Sequence, residues 1–182
     1  MFDDDTRRRI RAVAIPLPPP SDSVALSAWL RRSALVAKLK QRFAPGADSA
    51  TLARLVTFLL HDGGFGAGPN LIDTWAAIDI LQTCGAPLRL PGLSQFVDRL
   101  QISHPLFDTT STAGSARGDV LWAGVGACRA LGVPIRYALD ACEFVLACQS
   151  AHGGFANAPQ ELPDIESTYR AIEILLELKP AA

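Results

Sequence analysis

The sequence has no apolar run approaching the length of a membrane span, although 49% of its 182 residues are apolar. A spanning helix needs about 20 consecutive apolar residues, so no transmembrane segment is expected. No excess of either charge stands out: 17 Lys and Arg meet 18 Asp and Glu, for a formal charge of −1. Without a basic stripe or an acidic tail, nucleic acid is not an expected partner. The opening MFDDDTRRRIRAVAIP carries three acids and lacks an apolar core before a small-residue cleavage site. It does not read as a signal peptide. Cys84, Cys128, Cys142 and Cys148 form no CxxC pair. They fall on helix-patterned stretches and read as reduced, buried small hydrophobes of a cytoplasmic protein. Strand-like alternation is absent. Ser111 and Ser115, in a hydroxyl-rich loop, show no nucleophile signature. The Gly-Gly-Phe glycines end helices, whereas phosphate-cradling glycines open them.

What is present is a stretch that recurs. Residues 61–81 read HDGGFGAGPNLIDTWAAIDIL and residues 152–176 read HGGFANAPQELPDIESTYRAIEILL, with a degenerate copy, HPLFDTTSTAGSARGDVLWAGVGACRAL, at 104–131. Each copy has a His, a turn bearing Phe, a loop, an acid and a helix opening near an aromatic. The aromatics Trp75, Trp122 and Tyr169 are spaced by 47 and 47, and Trp29 lies 46 residues earlier. A fixed period of this size in a helix-patterned chain marks a repeat built from helical hairpins.

The length suits one domain. Residues 1–22 divide into a short helix near 3–14, with Asp3, Asp4 and Asp5 at its positive end, and the Pro-rich connector IPLPPPSDS. Residues 23–182 form the repeat domain. Its helices are expected near 23–42 (capped by Ser21 or Ser23), 50–61, 71–83, 92–102, 119–131, 135–150 and 164–178. That gives an all-α chain of three hairpins after an N-terminal helix or helix pair. Loop residues Phe65, Phe107 and Phe155 read as plugs at the hairpin ends.

Two readings of the polar and aromatic positions stay open. A wall of Trp29, Trp75, Trp122 and Tyr169 could steady a cation through ring quadrupoles, by about 0.5 to 2 kcal/mol per ring. One aromatic per hairpin could equally be packing. Asp73, Asp119, Asp164 and Glu166, at helix starts, could supply a Brønsted acid if desolvated, or simply cap. Asp79 and Glu173, at matching mid-helix places, face either solvent or a cavity. His61, His104 and His152 occupy equivalent places, about 10 Å or more apart in stacked hairpins, too far to share one ion. They read as partners of helix C-termini.

QSAHGGFANAPQELPDIESTYRAIEIL, with the weaker DGGFGAGPNLIDTWAAIDIL, resembles the repeat of protein prenyltransferase β subunits and of squalene and oxidosqualene cyclases. The resemblance covers residues 50–178. It implies a partial α/α toroid of about three to four hairpins, with the helix after each Gly-Gly-Phe turn facing an aromatic-lined cavity. The zinc of the prenyltransferases is held by Asp, Cys and His; here Ser167 stands where the His is expected after Asp164. Val120, Leu121 and Trp122 follow Asp119 with no Cys. No metal or other cofactor is therefore expected. The cyclase DxDD motif has only Asp3-Asp4-Asp5-Thr6 as its counterpart, with Phe2 in place of the first acid. The resemblance implies an enzyme that cyclises a polyene or isoprenoid-derived substrate, one of the six acids initiating and the four aromatics binding. The alternative is a non-catalytic module binding an isoprenoid, a lipid-like ligand or a partner protein. A full toroid of this family uses about five to seven hairpins, so either a homodimer or a partner subunit completes it, or the structure is an open arc.

Overall fold

The computed structural model describes residues 4–13, 22–43, 49–103, 106–108 and 116–178. Asp3, His104, Ser111, Ser115 and residues 14–21, which include most of the Pro-rich connector, lie outside them. Eight helices are present among the described residues: α1 (Asp4–Ala12), α2 (Ser23–Phe43), α3 (Ser49–Phe58), α4 (Leu71–Thr83), α5 (Leu93–Arg99), α6 (Gly118–Leu131), α7 (Ala138–Ala147) and α8 (Ile165–Leu178). The chain divides into two compact units, Met1–Gly92 and Leu93–Ala182. In the first, α4 packs on α2 and α3; in the second, α6 packs on α8 and α5, and α8 on α7.

Helix positions follow the apolar periodicity closely, and the ends follow capping chemistry. α2 is capped by Asp22, whose Oδ1 accepts the Ala25 amide at 2.8 Å, rather than by Ser23; Ser21 lies outside the described residues. Asn70 adopts extended backbone before α4, and its side chain accepts the Asp73 amide. α6 ends on Gly132 at φ 67°, left-handed backbone that glycine adopts without a Cβ penalty.

One expectation fails at the first Gly-Gly-Phe turn. The chain does not run helically to His61: α3 stops at Phe58, and Leu60–His61 (β1) pairs antiparallel with Gly64–Phe65 (β2). Gly63 makes that turn possible. Its φ is +84°, and a Cβ there would lie 2.6 Å from the carbonyl oxygen of Gly92. The tight reversal puts Phe65 fully inside the first unit, and Phe155 and Phe107 are buried in the second. Phe107 lies flat on Gly124 of α6, where a Cβ would come within 2.5 Å of the ring.

The two well-formed repeats share one joint. The Phe65 amide donates to Thr74 Oγ1 at 3.0 Å, and the Phe155 amide donates to Thr168 Oγ1 at 2.9 Å. The residue before each helix returns the chain: Asn70 N donates to Phe65 O at 3.2 Å and Asp164 N to Phe155 O at 3.3 Å. Thr74 and Thr168 lie 94 residues apart, twice the 47-residue period.

Thr74→Val keeps the shape but orphans a buried amide, an expected loss of about 1–3 kcal/mol. Gly63→Ala, strained in φ and against Gly92, should cost more. Urea denaturation midpoints of the two variants test both the sign and the order.

Candidate functional site

The repeat joint sets which side chains of α4 and α8 are equivalent, and it corrects the grouping of helix-start acids. Asn70 matches Asp164 and Asp73 matches Ser167, each pair 94 residues apart. Asp164 is itself the cap: it accepts the Ser167 amide at 2.8 Å and the Ser167 hydroxyl at 2.6 Å. Those two bonds hold its carboxyl below the usual aspartate range, with smaller help from the Glu166 amide and the Arg170 charge. Asp73 sits a turn further in and is buried. Its amide donates to Asn70 Oδ1 at 2.9 Å, and its Oδ2 accepts Asn70 Nδ2 at 2.8 Å and the hydroxyl of Ser27 on α2. A buried carboxylate oxygen that accepts from both its own cap and a neighbouring helix ties the two helices together.

The remaining acids are likewise engaged. Asp119 lies beside Arg117 at 3.3 Å, and its Oδ1 accepts the Val120 amide at 3.0 Å. Glu166 pairs with Arg170 at 2.5 Å one turn on. Asp79 pairs with Lys38 of α2 at 2.8 Å.

Glu173 has the most informative surroundings. Its Oε2 accepts Trp122 Nε1 from α6 at 2.6 Å, and its Oε1 accepts the Tyr169 hydroxyl from one turn earlier. The guanidinium of Arg170 lies over the Trp122 ring, 5.2 Å from its centroid. One carboxylate thus fixes two predicted binding aromatics, and one face of the indole already holds a cation. Trp122 is half-buried and Tyr169 exposed; in the first unit Trp29 is buried in the core and Trp75 half-buried. Trp29 therefore reads as packing.

Between Gly118, Phe144, Val145, Cys148, Ser167 and Ala171 the cavity measures about 10 Å³, space for a water at most. Cys128, fully buried on α6, has its thiol pushed up to about 12 by desolvation, reinforced by Asp98. It is an inert apolar contact.

The histidine expectation also changes. His61 is exposed on β1, 3.0 Å from Asp62, and His152 is exposed in a turn beyond α7, which ends at Ala147. Neither meets a helix C-terminus, because each helix stops before the turn that carries the histidine. Among the described residues no three His, Cys, Asp or Glu converge. With Ser167 donating to Asp164, the residues at the prenyltransferase zinc positions do not fit that ion.

Several partners carried no distinct sequence signal. Asn157 caps α6 from 38 residues downstream, accepting the Asp119 amide on Oδ1 and the Gly118 amide on its carbonyl, both at 2.7 Å. Ser27 and Lys38 meet α4 only through the fold. Arg170, four residues after Glu166, was legible as an i,i+4 pair but not as a ring partner.

A depressed carboxylate stabilises the fold above its unfolded value of 3.8, and that contribution disappears as pH falls through the lower folded value. Ser167→Ala should therefore lower the urea midpoint at neutral pH, with the gap to wild type closing in acid. A gap that stays constant with pH would assign Ser167 to packing alone.

No protein-family model matches the sequence, and no curated protein matches it. Among solved structures, a chain of the Candida albicans protein geranylgeranyltransferase-I complexed with GGPP superposes with a TM-score of 0.67 at 19% identity. The match takes in 81% of this chain and 48% of that one, so this chain spans about half the length of its structural neighbour. At that identity the likeness concerns fold alone: an all-α architecture of helical hairpins of the α/α-toroid class, as in the protein prenyltransferases.

Proposed function

We propose that this chain is a non-catalytic helical-repeat module that binds an apolar chain of isoprenoid type against the Trp122–Tyr169 pair. The observation that carries this reading is the double acceptance by Glu173, which turns a possible proton donor into a clamp for two aromatic rings. Pre-organised aromatic surface binds apolar chains with little ordering cost on the protein side. The structural neighbour was solved with GGPP, and an isoprenoid is the class of ligand such a surface suits.

The cyclase reading needs more than the geometry offers. It needs an acid free to protonate an alkene and ring faces free to meet a carbocation. Asp73, Asp79, Asp119, Asp164, Glu166 and Glu173 are all committed to caps, ion pairs or aromatic donors, and Arg170 covers one face of Trp122. Binding without turnover is the function these contacts support best.

Titration of the tryptophan fluorescence with geranylgeraniol, and separately with GGPP, tests the proposal. Saturable binding is expected for the alcohol. Trp122→Ala should weaken it about 10-fold, the loss of roughly one aromatic contact. Glu173→Gln, which keeps the size but weakens the clamp, should weaken binding less. Gas chromatography of a geranylgeraniol or GGPP incubation should return only unreacted compound. Cyclised product would restore the enzyme reading, and absence of binding to either probe would end the proposal.

A further inference from the structure

The open face of α2 differs from its counterparts in the other repeats. At 100° per residue, Val24, Arg31, Arg32, Leu35, Leu39 and Arg42 fall within one arc of about 100°. Val24 is 77% exposed, Leu35 61% and Leu39 38%, and the three arginines are exposed. With Trp29 aligned on Trp75 and Trp122, the seats of Arg31, Arg32 and Leu35 belong to Ala77, Ile78 and Leu81 on α4. On α6 they belong to Gly124, Val125 and Cys128. All six of those residues are buried. Where the fold covers these seats they carry no charge; on α2 two of the three are arginine.

Charge decides what such a face can meet. α2 itself contains no acid, and Asp79, the carboxylate that reaches it from α4, is taken by Lys38. Among the described residues no carboxylate pairs with Arg31, Arg32 or Arg42. Packing another apolar hairpin there would strip water from unpaired guanidiniums, at a heavy desolvation cost. The face suits a surface that offers dense anions at its water boundary and hydrocarbon just beneath. That is the headgroup layer of an anionic bilayer. No helix among the described residues is long and apolar enough to cross a membrane, so the contact runs along the surface. From Val24 to Leu39 the helix offers about 22 Å of length for it.

We infer that α2 lies flat on an anionic phospholipid surface. Val24, Leu35 and Leu39 enter the acyl boundary, and Arg31, Arg32 and Arg42 meet lipid phosphates. The guanidinium fork matches phosphate oxygens two at a time. Long arginine stems let the charged heads stay at the phosphates while Leu35 between them goes deeper. A soluble acidic partner would use the same arginines but has no hydrocarbon to receive the three apolar side chains. The inference stands apart from the ligand reading: no residue of this face belongs to the Trp122–Glu173–Tyr169 cluster, and the two lie in different units.

Co-sedimentation of the full chain with lipid vesicles, in the absence of any isoprenoid, tests the inference. Phosphatidylcholine vesicles containing about 30% phosphatidylglycerol should retain the protein at about 0.1 M NaCl. Pure phosphatidylcholine vesicles should bind it at least about 10-fold more weakly. Arg31→Gln with Arg32→Gln should weaken binding to the anionic vesicles about 20-fold, at about 5-fold for each cation. Leu35→Gln should weaken it about 10-fold. These sites are exposed, so the helical circular dichroism of both variants should match wild type. Poly-glutamate, a polyanion without hydrocarbon, should bind less tightly than the anionic vesicles and respond to the arginine pair but not to Leu35→Gln. Failure of the anionic vesicles to retain the protein would overturn the inference. So would retention untouched by the arginine pair or by Leu35→Gln, and equal binding to poly-glutamate would give the face to an acidic protein instead.

Discussion

A threonine hydroxyl receiving the amide of a loop phenylalanine holds each well-formed repeat together. The Gly-Gly-Phe turn leaves that amide buried in the first repeat and part-buried in the last, where an unmet donor is costly. Thr74 and Thr168 meet it from the first turn of the following helix. One bond therefore sets the angle at which the turn enters the hairpin, buries the phenylalanine and places the next residue, Trp75 or Tyr169. The middle repeat has Leu121 at this position and uses a different device. There Phe107 drops onto Gly124, and Asn157 reaches back to cap the helix.

From that joint the polar positions of the inner helices follow. The residue four beyond the aromatic is Asp79 in one helix and Glu173 in the other, and each reaches a neighbouring helix. The partners differ in kind. Asp79 meets the ammonium of Lys38, a simple ion pair near the surface. Glu173 meets an indole N–H and a phenol, which orients two rings at once. Acid chemistry needs a proton donor kept unsolvated and uncommitted; a carboxylate with both oxygens occupied by donors is an orienting group. The same seat in the repeat thus serves cohesion in one unit and ring placement in the other.

Surface chemistry is distributed as unevenly as the core is regular. The first long helix carries only cations and the last mainly anions, yet the whole chain is nearly neutral. Neutrality in the sum conceals polarity along the chain.

Much was legible from residue order. The period of 47, the helix spans and the buried loop phenylalanines all follow from local rules: apolar residues at helical spacing, caps at the starts and glycine at the stops. Helix α4 occupies the very residues that pattern marks out, 71–83. What local rules could not reach was the partner of each polar group. Asp73 and Asp164 look alike in the sequence, but one is buried under Ser27 and the other is an exposed cap, because Asp164 holds the N-cap seat of α8 whereas Asp73 lies three residues past the cap of α4. The two-strand hairpin at His61 escaped for a similar reason: its pairing depends on Gly63 lying against Gly92, 29 residues away. The sequence by itself determined the helices, their repeat and the aromatic at each start, since those depend on neighbours within a turn or two. Only the tertiary structure decided that Glu173 clamps Trp122 and Tyr169, because that depends on which helices come to lie side by side.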